Sequence, residues 1–124
     1  MIAFTSILPP TLISEGSYLR GDLEFQAHVL ILGLVEGRLE HKTTEPLRIG
    51  RTGWVQGNID SKGVVVVEGR IDGDIHAAEL IRVFSTGVIR GNIHSPRIEV
   101  LPGADIEGNI QMKVATRLHL VASY

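Results

Sequence analysis

The chain has 124 residues, a length suited to one domain, with a net charge of −2 and no cysteine. That charge balance leaves no broad basic field for nucleic acid or an anionic membrane, and the missing thiols exclude disulfides and thiolate metal sites. Aromatic residues make up 5% and hydrophobic residues 44%, so Val, Ile and Leu must fill the core. These residue types favour strands, and 14 glycines point to many tight turns.

Residues 1–13 carry no charge and read as an apolar tail. Pro9-Pro10 stops a helix from running through it. The segment is shorter than the roughly 20 residues that span a bilayer. The first basic residue is Arg20, so no secretory signal peptide is predicted. Two uses fit the tail. It is either a loosely docked extension or a short peptide whose Met1, Ile2, Phe4, Ile7 and Leu8 touch a bilayer or a neighbouring subunit. Burying half of its apolar side chains is worth a few kcal/mol at about 25 cal/mol per Å². Without a basic patch that gives marginal, reversible anchoring, to which a polymer would add avidity.

Residues 14–112 are built on one phrase: apolar, polar, Gly, polar, aliphatic, polar. It is clearest in Val55-Gln56-Gly57-Asn58-Ile59-Asp60, Ile71-Asp72-Gly73-Asp74-Ile75-His76, Ile89-Arg90-Gly91-Asn92-Ile93-His94 and Ile106-Glu107-Gly108-Asn109-Ile110-Gln111. Weaker copies centre on Gly21 and Gly37. The six key glycines are spaced by 16, 20, 16, 18 and 17 residues, the signature of a repeat architecture. Two residues before the glycine stand Leu19, Val35, Val55, Ile71, Ile89 and Ile106; two after it stand Leu23, Leu39, Ile59, Ile75, Ile93 and Ile110. This period-two alternation puts one face inward and one outward.

Further apolar stretches lie between the phrases: 29–32, 47–49, 64–67, 80–83 and 98–101. A second glycine precedes each key glycine by four or five residues (Gly16, Gly33, Gly53, Gly69, Gly87, Gly103) and reads as a turn residue with positive φ. No period holds a helix-length pattern or a βαβ crossover. The expectation is an all-β solenoid of about six coils stacked roughly 4.8 Å apart. The long interval, 40–46, reads as a looped-out corner, and residues 113–124 as a C-terminal tail in which Arg117–Leu120 alternates like a strand and either lies over the end of the rod or stays a flexible tail.

The outward columns are polar. The one before the key glycine runs Arg20, Glu36, Gln56, Asp72, Arg90, Glu107, with mixed sign. Another runs Glu24, Glu40, Asp60, His76, His94, Gln111. Its two adjacent histidines read first as solvated surface residues, since zinc needs three or four ligands and no third is apparent without a neighbouring subunit.

Gly69-Arg-Ile-Asp-Gly-Asp-Ile-His-Ala77, Gly91-Asn-Ile-His-Ser-Pro-Arg-Ile-Glu-Val100 and Pro102-Gly-Ala-Asp-Ile-Glu-Gly-Asn-Ile-Gln-Met112 resemble the bactofilins, bacterial polymer-forming cytoskeletal proteins. The resemblance covers roughly residues 14–112. It implies a single-stranded, right-handed β-helix of triangular cross-section with about six windings; the two tails, expected to be flexible, are short and apolar where many members have long polar ones. It also implies non-polar filaments assembled end to end without nucleotide, membrane association through an apolar N-terminal peptide in some members, and scaffolding roles in cell shape, placement of wall-modifying enzymes, polarity and motility. Ile106 stands where the family commonly has Phe in Gly-Ala-x-Phe-Glu-Gly.

The physics of a solenoid agrees. Repeat arrays stay apart when polar caps close their ends, and here the first and last coils are as apolar inside as the middle ones. The candidate polymerisation interface is therefore Leu19, Leu23 and Phe25 at one end, and Ile98, Val100, Ile106 and Ile110 at the other. No catalytic residue, cofactor or metal site is expected, and no nucleic-acid partner. The expected partners are further copies of the chain, the inner leaflet of the cytoplasmic membrane and scaffolded enzymes, in or at the edge of the cytoplasm. The rivals are a non-polymerising adaptor and a hexapeptide-type β-helix enzyme, an acyltransferase or carbonic anhydrase; the uneven spacings oppose the enzyme, whose coils keep hexads in phase.

Overall fold

A computed structural model describes residues 11–26, 28–111 and 117–120. The strands pack into three parallel sheets, and the chain visits the sheets in strict rotation. The first coil is β1 (Thr11–Ile13), β2 (Tyr18–Arg20) and β3 (Leu23–Phe25). The second is β4 (Val29–Ile31), β5 (Leu34–Glu36) and β6 (Leu39–His41). The third is β7 (Leu47–Ile49), β8 (Trp54–Gln56) and β9 (Ile59–Ser61). The fourth is β10 (Val64–Val67), β11 (Arg70–Asp72) and β12 (Ile75–Ala77). The fifth is β13 (Leu80–Val83), β14 (Val88–Arg90) and β15 (Ile93–His94). The sixth is β16 (Arg97–Val100), β17 (Asp105–Glu107) and β18 (Ile110–Gln111), and β19 (Arg117–Leu120) starts a seventh layer.

One sheet stacks β1, β4, β7, β10, β13, β16 and β19. The second stacks β2 through β17 and the third β3 through β18, one strand per coil. This is the expected solenoid of about six turns.

Each middle coil sends five side chains inward: two from the first face, one from the second and two from the third. In the fourth coil these are Val65, Val67, Ile71, Ile75 and Ala77; in the fifth, Ile81, Val83, Ile89, Ile93 and Ser95; all are buried. The period-two pattern decides this, because a strand alternates its side chains between faces. Exact registers such as Ile71↔Ile89 and Ile75↔Ile93 stack like on like into columns. A one-residue slip would turn a whole column outward, so the aliphatic repeat fixes the register.

The key glycines turn the corner between the second and third faces with positive φ, from +121° at Gly21 to +155° at Gly91. The second glycines divide. Gly16 and Gly103 have positive φ, whereas Gly33, Gly53, Gly69 and Gly87 do not. These four are required by space instead of torsion. A β-carbon on Gly69 would sit 2.2 Å from the carbonyl oxygen of Gly50.

Two expectations about boundaries and loops are corrected. Thr11–Ile13, expected in the N-terminal tail, is paired in register with Val29–Ile31. Of the two placements open to Arg117–Leu120, the structure has the one over the end of the rod, paired with Arg97–Val100. Glu40 and His41 belong to a strand and not to a looped-out corner, and His41 points into the core with 1% exposure. The extra residues of that interval lie only between His41 and Leu47.

Candidate polymerisation interface

At the N-terminal end, β1, β2 and β3 are the outermost strands of their sheets among the described residues. Leu23 and Phe25 are buried, and Leu19 packs half-buried against the same core. At the C-terminal end, β17 and β18 are outermost on two faces and β19 on the third. Ile110 faces the end with 37% exposure, and Ile106 is half-buried. Ile98 and Val100 lie one layer further in, because β19 pairs over the strand that carries them. Thus Ile106 and Ile110 lie at the outermost described layer of their two faces, whereas Ile98 and Val100, in the same coil, are covered by β19 on the third. The apolar positions Met1, Ile2, Phe4, Ile7 and Leu8 lie outside the described residues. Among the described residues no helix is long and apolar enough to cross a membrane.

The rim around each end is charged and mostly paired. Glu24 and Glu40 flank the Lys42 ammonium at 3.3 and 3.7 Å. A hydrogen bond and Coulomb attraction from Glu24, then Glu40, raise the Lys42 pKa. The Tyr18 hydroxyl donates to a Glu36 carboxylate oxygen one coil on. That bond, with burial and the negative charge of Glu36, raises the Tyr18 pKa. Near the other end Arg90 meets Glu107 at 3.7 Å, and Arg82 meets Glu99 at 2.8 Å. Mixed sign along the columns lets neighbouring coils attract, as expected, and each such exposed pair is worth about 0–1 kcal/mol.

Two features escape a reading of the sequence by columns. The residue after Gly57, Gly73 and Gly91 holds the next coil: Asp74 N–H donates to Asn58 Oδ1 at 3.2 Å, Asn92 N–H to Asp74 Oδ1 at 3.0 Å, and Asn109 N–H to Asn92 Oδ1 at 3.2 Å. The recurring Asn or Asp after glycine was the available signal. The second feature is the inward column Phe25, His41, Ser61, Ala77, whose members pair in register. His41 Nδ1 lies 3.0 Å from Ser61 Oγ, and that oxygen also accepts the Gly63 N–H at 3.1 Å. The signal was position, two residues beyond each inward Leu or Ile, but the chemistry of His and Ser pointed outward.

The recesses on the surface are shallow. The one holding His76 and His94 has a volume of about 270 Å³. Among the described residues no group of three or more His, Cys, Asp or Glu side chains is arranged to hold a metal ion.

Residues 11–111 match the protein family described as "Bactofilin: Polymer-forming cytoskeletal". The chain is also similar to "Bactofilin BacO" of Myxococcus xanthus (strain DK1622), with 27% identity over 113 residues, covering 91% of this chain and 87% of that protein. No solved structure matches it.

Proposed function

The chain belongs to the bactofilins, a family of polymer-forming cytoskeletal proteins, and from that premise we propose that it self-assembles end to end without nucleotide. The observation that carries this reading is the C-terminal end of the solenoid. There the hydrophobic core is not closed by a polar cap among the described residues, and Ile110 stands 37% exposed beside unpaired strand edges. Apolar surface and open strand edges are both relieved when a second end docks on them. The contacts are Ile106 and Ile110 at that end and the half-buried Leu19 at the other; Leu23, Phe25 and Ile98, expected in the interface, are buried within the chain and back these contacts from inside. Non-polar filaments require each end to meet its like.

The same reading gives the three faces of the rod a scaffolding role. A filament repeats each face along its length, so weak docking of a partner, such as a wall-modifying enzyme, gains avidity. The N-terminal positions Met1, Ile2, Phe4, Ile7 and Leu8 provide reversible contact with the inner leaflet by the same multiplication.

Tag-free protein examined by negative-stain microscopy and light scattering, with no nucleotide present, tests assembly. Filaments are expected. Ile110→Lys places a charge at the end while leaving the buried core intact, so folded, dispersed rods are expected by circular dichroism and scattering. A dispersed wild-type chain, or filaments that persist in folded Ile110→Lys protein, would overturn the reading. Deletion of residues 1–8 followed by flotation with vesicles tests the membrane contact separately.

A further inference from the structure

His76 and His94 stand on adjacent strands of the third face, in register, with ring centroids 4.5 Å apart and planes tilted by 38°. Beyond each other, neither ring has a hydrogen-bond or ion-pair partner among the described residues. Both line a shallow groove of about 270 Å³ with Asp60, Lys62 and Pro96 on its rim. On the other flank of His76 a second recess is bordered by Glu40, Asp60 and Asp74, with Arg38 beside them. The face therefore presents two neighbouring, tilted imidazoles with three carboxylates close by. Elsewhere Arg90 meets Glu107 and Arg82 meets Glu99 across successive coils, whereas here His76 meets His94.

Imidazole is the ligand suited to zinc and its neighbours among divalent transition metals. Two side chains on successive rungs of a parallel sheet can turn toward one point, and the nearby carboxylates favour arrival of a cation. Zinc takes four ligands in closed sites, and one chain supplies two. We propose that His76 and His94 form half of a zinc-class metal site, completed by the same pair on a second copy, so that the metal joins two rods side by side. A two-fold axis through the metal would bring four imidazoles together, and the contact would be self-complementary. The surface is the side of the rod, not its ends, so the proposal does not depend on end-to-end assembly.

The test uses the full, tag-free chain, as wild type and as dispersed Ile110→Lys rods, titrated with zinc chloride alone. Binding of one zinc per two chains is expected, with pairing of dispersed rods and thickening of filaments into bundles, both reversed by a chelator. His76→Gln and His94→Gln should each weaken binding at least about tenfold, and the double variant should lose it together with pairing. Both positions point outward, so circular dichroism should show the fold unchanged. Undiminished binding in the double variant would overturn the site. One zinc per chain without pairing would overturn the shared site, and absence of zinc binding by the wild type would overturn both.

Discussion

The carbonyl oxygen of Gly73 lies 2.1 Å from the point that a β-carbon on Gly91 would occupy. The same contact recurs down the corner, at 2.1 Å between Gly57 and Gly73 and at 2.0 Å between Gly91 and Gly108. Gly91 also has a φ of +155°, where a side chain is strained whatever the space. Gly91→Ala therefore combines a clash with backbone and a disfavoured torsion, and should cost about 3 kcal/mol. Gly16 isolates the second cause: its φ is +87°, but nothing lies within 4 Å of its β-carbon position. Gly16→Ala should cost only about 1 kcal/mol. Urea unfolding followed by circular dichroism compares the two; equal losses would show that torsion alone selects glycine at the corner.

That contrast also marks what sequence could show. Spacing and alternation located the coils, the inward aliphatic columns and the corner glycines, because a solenoid repeats one local rule. They did not separate Gly53 or Gly69, chosen for space, from Gly21, chosen for torsion. That difference depends on how closely the coil below approaches. Alternation placed Ile106 and Ile110 at the last layer, but placed Ile98 and Val100 there too. Their covering strand, Arg117–Leu120, follows a segment without the glycine phrase, so the repeat gave no register for it. Polarity points His41 to a loop while its position in the repeat points it inward; its partner Ser61 is twenty residues away and meets it only through coil stacking.

The His41–Ser61 contact predicts a buried polar cost. Ser61→Ala removes the hydroxyl 3.0 Å from His41 Nδ1 and the acceptor of the Gly63 N–H, in a core where Ser61 is 2% exposed. Loss of a buried partner costs about 1–3 kcal/mol. Ser95→Ala tests the context, since Ser95 Oγ donates to the Arg97 carbonyl at 2.9 Å within its own turn. Denaturation of both variants should show the larger loss for Ser61, and equal losses would mean that His41 draws little from the hydroxyl.

Tyr18 gives a titration that reports the coil-to-coil contact. Its phenol donates to Glu36, and the carboxylate disfavours the phenolate, so its pKa lies above the ordinary value of about 10. Because the folded value is the higher one, the associated stability is complete below the unfolded pKa. It is lost as pH rises through the folded pKa, which confines the effect to strongly alkaline solution. Ultraviolet titration of a Tyr124→Phe chain isolates Tyr18, and Glu36→Gln should move its midpoint downward. An unmoved midpoint would remove Glu36 as the cause.

Asn92 tests whether the last coil is held separately from the rest. Its Oδ1 accepts the N–H of Asn109 at 3.2 Å, and its own N–H is held by Asp74 Oδ1 at 3.0 Å. Asn92→Ala breaks only the link to the final coil, where Ile110 is exposed. One such hydrogen bond contributes about 1 kcal/mol, and at a terminal layer the loss should appear as local opening ahead of global unfolding. Hydrogen exchange at the Asn109 amide should quicken about fivefold, as 1 kcal/mol implies, while amides near Ile71 and Ile75 stay protected. If the end of the rod is the assembly surface, loosening it should also slow filament growth more than it lowers the unfolding midpoint. Asn58→Ala, which breaks the equivalent link to Asp74 in the middle of the rod, supplies the comparison. A mid-rod variant that slowed growth equally would separate the ladder from the end.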